Sequence, residues 1–397
     1  MTQPHAANFE TLAVHGGSFR ADPVTGAVVP PIYLTTSYQF QDTEHARRIF
    51  ALEEIGYTYT RTVNPTREFL ERRVSALEDG VGALALATGE SASLYALLNI
   101  THSGDNVVLS PDIGTGRNAG LVASLRQFGV DVRFAAETGS AESFAAATDA
   151  RTRAYYVESL SVPQLRAFPL AGAAEAAQQA GVPLIVDNTA LPLSLRPFEH
   201  GAALVIYSAA EYLGGHDGAQ GGLIIDGGQF SWEAHATRLP TLSEPDASYH
   251  GVVWTELVKK WNASPFVART RAHLLRDLGA AINPLAVFQI IQGVETLPLR
   301  LRRQTASARE VATYLGAHPK VSGLATGAAL IAFDLPSAAA AARFTDALTL
   351  FDPAVTYGGV RSAILDRAAA SPRVVLSIGL EHAGDLLTDL DSALADA

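Results

Sequence analysis

Cysteine is absent from all 397 residues, which excludes disulfides, persulfide carriers and thiol nucleophiles together. Lysine is almost absent: Lys259, Lys260 and Lys320 are the only three among 29 basic residues. A GC-rich genome writes such an arginine bias, but it leaves few amines able to form an imine. Positive charge is short as well. The formal net charge of −11 offers no basic field to gather nucleic-acid phosphates or an anionic membrane. No apolar run reaches the roughly 18 residues needed to span a bilayer. The opening MTQPHAANFETLAVHGG lacks the basic start and apolar core of a secretory signal. These absences lead to the expectation of a soluble, cytoplasmic protein with no nucleic-acid or membrane partner.

What is present describes an ordinary globular chain, 48% hydrophobic and 17% charged, long enough for two or three domains. Residues 1–60 carry paired prolines and alternating apolar residues in VVPPIYLTTSYQF, and read as an extended arm. In YTYTRTVNPTREFLERRVSALEDG, Asn64 suits a helix N-cap and Pro65 the first helical position. Leu70, Val74 and Leu77 recur at helical spacing, and Gly80 fits the end.

From about residue 83, short β-branched runs alternate with helical segments, as in ALALA, VVLS, VDVRF and AYYVES. Three further runs, Val182–Val186, Ala203–Ile206 and Gly222–Ile225, read as buried strands. That alternation predicts right-handed βαβ crossovers and a mostly parallel sheet. After about 255 a long helical region is expected, broken at Pro284. Strand candidates at 329–333 and 373–381 then flank a helix near 337–350. The expected division is an arm (1–60), a large α/β domain (61–255) and a smaller α+β domain (256–397).

Polar residues gather at the strand ends: Asp187, Ser208, Glu211 and His216, where open α/β sheets place their chemistry. The stretch YSAAEYLGGH closely resembles the centre of the pyridoxal-phosphate (PLP) enzymes of cysteine and methionine metabolism. The similarity is to the O-acetylhomoserine sulfhydrylase and cystathionine γ-synthase group, and it runs nearly end to end. It implies the type I PLP-transferase fold, aspartate aminotransferase-like, with a mostly parallel large domain and a smaller C-terminal α+β domain. On the same resemblance, Tyr59 and Arg61 match the pair that clamps the cofactor phosphate from a neighbouring subunit. Thr88, Gly89 and Glu90 match the phosphate loop, where a helix N-terminus holds an anion whatever the side chains are. Asp187 matches the partner of the pyridine nitrogen, with Thr189 just beyond it. Ser208 matches a phosphate-contacting hydroxyl, and SEPDASYHG (243–251) resembles a family segment.

Other matches are losses. The family lysine that carries PLP falls at Glu211, and a carboxylate cannot form a Schiff base. The stacking aromatic falls at Gly114, the ring-oxygen contact at Val162 and the substrate-carboxylate arginine at Val375. Tyr207 and Ala210 replace a histidine and a threonine beside the lysine position. RSAILDRAAAS (361–371) does not match the family, and the chain is shorter there and near 323–327. Unit charges about 6 Å apart cost roughly 3 kcal/mol at an effective dielectric of 20, so Glu211 and Glu90 would also repel a phosphate. No covalent PLP is expected; PLP or another phosphate-bearing ligand could be held noncovalently. Glu211→Lys is expected to regain the cofactor without regaining γ-substitution.

Glu211 and Asp187 are the catalytic candidates, as buried acids able to move protons. Asp112, Asp217 and His216 could converge on them, but no metal-ligand spacing is present and no metal is expected. His216 reads as structural. Three functions stay open. One is a PLP-independent homologue in amino-acid, sulfur-related or specialised metabolism, acting on an amino-acid derivative. Another is a non-catalytic partner of a lysine-bearing sulfhydrylase. The third is a PLP-dependent γ-substitution or elimination enzyme with unusual cofactor binding, either noncovalent or through Lys259 or Lys260. The arm and the clamp imply a homo-oligomer, dimer or tetramer, with a hetero-oligomer as a further option.

Overall fold

The computed structural model describes residues 8–17, 21–114, 118–365 and 371–397. Seven strands form the larger sheet: β1 (Gly82–Leu86), β2 (Asn106–Leu109), β3 (Asp131–Phe134), β4 (Thr152–Glu158), β5 (Leu184–Asp187), β6 (Leu204–Ser208) and β7 (Gly222–Asp226). Their spatial order is β1-β7-β6-β5-β4-β2-β3. All run one way except β7, which is antiparallel to both β1 and β6.

Burial on both faces explains the composition. Val205 and Tyr207 of β6 join the core under the helices Pro65–Glu78 and Leu170–Ala180. Leu204 and Ile206 join the opposite core, under Gly89–Leu98 and Ala119–Gln127. Period-two alternation thus feeds two apolar layers, and neither face is left for water. The reversal of β7 sets Gly222 beside both Ser208 and Leu86. One rim therefore carries the C-terminal ends of β4, β5, β6 and β1.

Helix starts follow local chemistry. Asn64 Oδ1 accepts from the amides of Thr66 (3.0 Å) and Arg67 (3.4 Å), and Pro65 sits where no N–H is needed. The helix ends at Asp79, in the left-handed region at φ 59°, one residue before the expected Gly80. Pro284 does not break the long helical region; it begins a helix, Pro284–Ala317, capped by Asn283. The break lies earlier at Gly279, whose φ is 87°. A proline in the first turn gives up no hydrogen bond, so the same residue that stops a helix from behind can start one ahead.

The smaller sheet has the order Ser322–Gly327, Leu330–Asp334, Arg373–Ser377, Ala363–Leu365, Asp352–Pro353. Helices Ala338–Ala347 and Ala383–Asp396 close its core. Pro284–Ala317 joins the two halves. Val287, Ile290 and Val294 pack in the large-sheet core, and Val311 and Leu315 in the small one.

Two helices interrupt the stretch expected as an extended arm, Phe9–His15 and Thr43–Phe50. The first docks on its own chain: Arg73 Nε donates to Gly16 O (2.6 Å) and Arg302 to Glu10 Oε1 (2.6 Å). Residues 21–36 have no regular structure and expose Val24, Val28 and Leu34. Among the described residues no helix is long and apolar enough to cross a membrane.

Candidate functional site

Asp187 ends β5 on the rim, and the chain surrounds its carboxylate with donors. Oδ1 accepts from the Thr189 amide (3.0 Å) and hydroxyl (2.5 Å). Oδ2 accepts from Asn118 Nδ2 (3.1 Å) and the Tyr156 hydroxyl (3.4 Å). Thr189 Oγ1 in turn accepts the Ser208 amide at 2.9 Å, tying β5 to β6. The other hydrogen of the Asn118 amide goes to Glu158 Oε1 at 2.7 Å.

Gly89 opens its helix directly against β6. A Cβ there would stand 2.6 Å from Ser208 Cβ, so only glycine lets the helix start approach this closely. Thr88 and Ser91 form a capping box, with Thr88 Oγ1 accepting the Ser91 amide at 3.1 Å. The Thr88 side chain thereby serves the helix, while the amides of Gly89 and Glu90 lead it. Glu90 itself is exposed in the first turn. Ser208 is 6% exposed, and its hydroxyl makes no hydrogen bond with the described residues.

Glu211 lies three residues past β6 and is 3% exposed. Its carbonyl accepts the Gly215 amide at 2.7 Å, and the Ala209 carbonyl accepts that of Gly214 at 2.8 Å. The buried Arg300 guanidinium holds this turn, donating to the carbonyls of Tyr212 (2.7 Å), Leu213 (3.2 Å) and Gly293 (2.8 Å). Burial pushes Arg300 down to about 10.

Tyr59 and Arg61 are exposed, with the guanidinium 5.2 Å from the Tyr59 ring centre. Tyr207 turns away from the rim, donating to Glu78 Oε1 (2.6 Å) and accepting from Asn188 Nδ2 (2.8 Å). Val162 borders a pocket of about 10 Å³, lined also by Glu158, Asp187, Thr189, Ala190 and Tyr357. Val375 is buried in the small sheet, paired with Ala332 and Leu365. Gly114 ends a short 3-10 turn, Pro111–Gly114. Within 243–251, Asp246 accepts from the Ser248 amide (2.9 Å) and the Trp254 indole (2.9 Å), which folds the segment on itself. Of the unmatched stretch 361–371, residues 366–370 lie outside the described ones.

Neither described cavity gathers the five polar residues: Asp187 lines the small pocket, and Glu211 and Asp112 line neither. His216 and Asp217 line a separate cavity of about 380 Å³ with Gly214, Gln289, Gln292 and Thr296. Asp112 stands 3.7 Å from Arg166 instead. Beyond the turn held by Arg300, His216 and Asp217 face the long helix Pro284–Ala317, which short spacing in sequence did not reveal. Among the described residues no group of three His, Asp or Glu side chains could hold a metal.

The lysines are engaged elsewhere. Lys259 pairs with Glu256 (2.8 Å) and Glu233 (3.3 Å), which hold its ammonium above the usual range. Lys260 donates to Leu52 O (2.6 Å), and Lys320 to Leu394 O (2.7 Å) and Ala397 O (2.9 Å).

Sequence reasoning missed Asn118, Tyr156 and Tyr357. Asn118 precedes the helix Ala119–Gln127, where an asparagine reads as a cap, but its side chain makes no cap bond. Tyr357 comes from the far end of the chain; the paired glycines after it are the only local signal.

The doubly wound sheet, the strand-end rim and the smaller C-terminal sheet define a type I PLP-transferase fold. Residues 10–395 match the model of the family described as Cys/Met metabolism PLP-dependent enzyme, and the chain belongs to that family. It is 38% identical to an O-acetyl-L-homoserine sulfhydrylase of Leptospira meyeri, covering 97% of this chain and 96% of the relative. It is 37% identical to O-acetyl-L-homoserine sulfhydrylase 1 of Thermus thermophilus, over 98% of this chain and all of that one (100%). A crystal structure from Campylobacter jejuni, described as an O-acetylhomoserine (thiol)-lyase with N′-pyridoxyl-lysine-5′-monophosphate, superposes with a TM-score of 0.91. Its identity is 31%, over 98% of this chain and 100% of that one.

Proposed function

We propose that this chain is a sulfhydrylase-type protein that works without covalent PLP, binding a phosphate-bearing or amino-acid-derived ligand noncovalently in amino-acid or sulfur-related metabolism. The observation that carries the reading is Glu211, which the resemblance sets at the family's lysine position and which is 3% exposed. PLP supplies an aldehyde and an electron-withdrawing ring. A carboxylate cannot condense with that aldehyde, so Glu211 does not fit the cofactor, and the three lysines are committed to other partners. The phosphate end fits better: the Gly89 and Glu90 amides and the Ser208 hydroxyl can hold an anion. In this reading Glu211 holds or moves a proton next to the bound anion, and Asp187 positions Thr189 and, through it, Ser208. The protein acts in the cytoplasm as a homo-oligomer.

A second reading, the non-catalytic partner of a lysine-bearing sulfhydrylase, draws on Tyr59 and Arg61. They are exposed in their own chain, as side chains would be that serve a neighbour's phosphate.

The test is turnover of O-acetylhomoserine with sulfide in the presence of PLP, by wild type and by Glu211→Lys, with a lysine-bearing homologue as control. Wild type should be inactive. Glu211→Lys should stay more than about a hundredfold below the control, roughly 2.7 kcal/mol, because Gly114, Val162 and Val375 still lack the stack, the ring-oxygen contact and the carboxylate anchor. Wild-type turnover would overturn the first reading. Activity of wild type only after mixing with the homologue, above the homologue's own, would favour the second.

A further inference from the structure

The retained Asp187 suggests that a pyridine ring could still be held. Its surroundings argue otherwise. A carboxylate offers about four lone-pair sites, and the chain directs four donors at Asp187: the Thr189 amide and hydroxyl, Asn118 Nδ2 and, at 3.4 Å, the Tyr156 hydroxyl, which also lies 2.8 Å from Ser93 Oγ. Asn118 spends both amide hydrogens between two carboxylates, 2.7 Å from Glu158 and 3.1 Å from Asp187. Only the NH₂ end of an amide suits that place, because its oxygen would face two anions. The residue is 8% exposed and gives up a helix cap to stand there. The adjoining pocket measures about 10 Å³, room for about one water molecule. Val162 and Ala190 wall it, and so does Tyr357, which packs edge-on against Tyr212 at 5.9 Å.

We infer that Asn118 shuts the ring end of the site, so that a pyridinium ring is excluded whether or not a lysine stands at position 211. A ring nitrogen reaching Oδ2 would compete with Asn118 and Tyr156 for it, and displacing Asn118 would leave Glu158 and Asp187 without their shared donor. The phosphate end makes no direct hydrogen bond with Asn118; Ser208 reaches it only through Thr189 and Asp187, so an anion can sit at Gly89 and Ser208 with Asn118 in place. The ligand class that remains is a phosphate-bearing molecule without a cationic ring. This rests on the reading that the site lacks an imine-forming group, and it departs from the expectation that Glu211→Lys alone regains PLP.

Two measurements test it. In the first, PLP is titrated into Glu211→Lys and into Glu211→Lys/Asn118→Ala, followed by visible aldimine absorption. The single variant should stay without the band and the double variant should gain it, with PLP affinity higher by about tenfold or more, the weight of one charge-assisted hydrogen bond. A stoichiometric band in Glu211→Lys alone would overturn the inference while leaving the proposed function intact; a band in the wild type would overturn the function instead. The second measurement needs no variant and covers a double mutant that fails to fold. Equilibrium dialysis of wild type should find PLP bound no more tightly than inorganic phosphate. PLP binding tenfold tighter than phosphate would mean that the ring is accommodated and Asn118 is no lock.

Discussion

At the end of β6 two neighbouring side chains face opposite ways. Ser208 looks onto the rim, whereas Tyr207 enters the core and hydrogen-bonds the buried Glu78. Burial raises the Glu78 carboxyl above its usual range, against the lowering effect of Tyr207 and Arg196. The sign follows from linkage. A carboxyl raised by folding contributes stability that is complete below the unfolded value of about 4.3 and is lost as pH rises through the folded value. Asp226, also raised by burial, adds a slope of the same sign. Glu78→Gln removes one of the two titrations. Urea unfolding at pH 5 and pH 7 should therefore show a smaller loss of stability with rising pH in Glu78→Gln than in wild type. Identical slopes would mean that Glu78 does not titrate on folding in this range.

At the scale of elements, the join between the helix Gly89–Leu98 and the sheet is close. A Cβ on Gly222 would stand 1.9 Å from the Thr88 carbonyl oxygen and 2.5 Å from its carbon, backbone against backbone. Gly222→Ala should cost about 3 kcal/mol or more, at the severe end of overpacking. Gly120, in the helix Ala119–Gln127, would meet nothing within 4 Å. There the same exchange should stabilise by about 0.5 kcal/mol through helix propensity. Opposite signs in denaturant titrations check both; a mild Gly222→Ala would show that the rim is looser than drawn. These elements also show what was legible in the sequence. Asn64-Pro65 and the apolar runs of β5, β6 and β7 carried local signals strong enough to place them. The antiparallel sense of β7 carried none, because alternation records faces and not direction. The start at Pro284 was misread because proline ends and begins helices alike. Asn118 was hidden because its partners, Glu158 and Asp187, lie 40 and 69 residues away.

For the molecule as a whole, the arm is the incomplete part. Val24 is 89% exposed, Val28 79% and Leu34 and Ile55 69% each, in a stretch with little regular structure to support them. Apolar side chains this exposed along one segment favour burial against another subunit. Solution scattering at micromolar concentration should report a dimer or tetramer, and replacing the exposed Val24, Val28 and Leu34 by serine should weaken the assembly while leaving the subunit's own fold intact. A monomeric full-length chain would contradict this.

If no lysine of this protein carries PLP, intact-mass spectrometry after borohydride treatment will show it. Protein purified from its source, and protein incubated with excess PLP, should both be reduced and denatured before measurement. The predicted result is an unmodified chain of 41.9 kDa in each case. A stoichiometric pyridoxyl adduct mapped to Lys259, Lys260 or Lys320 would contradict it.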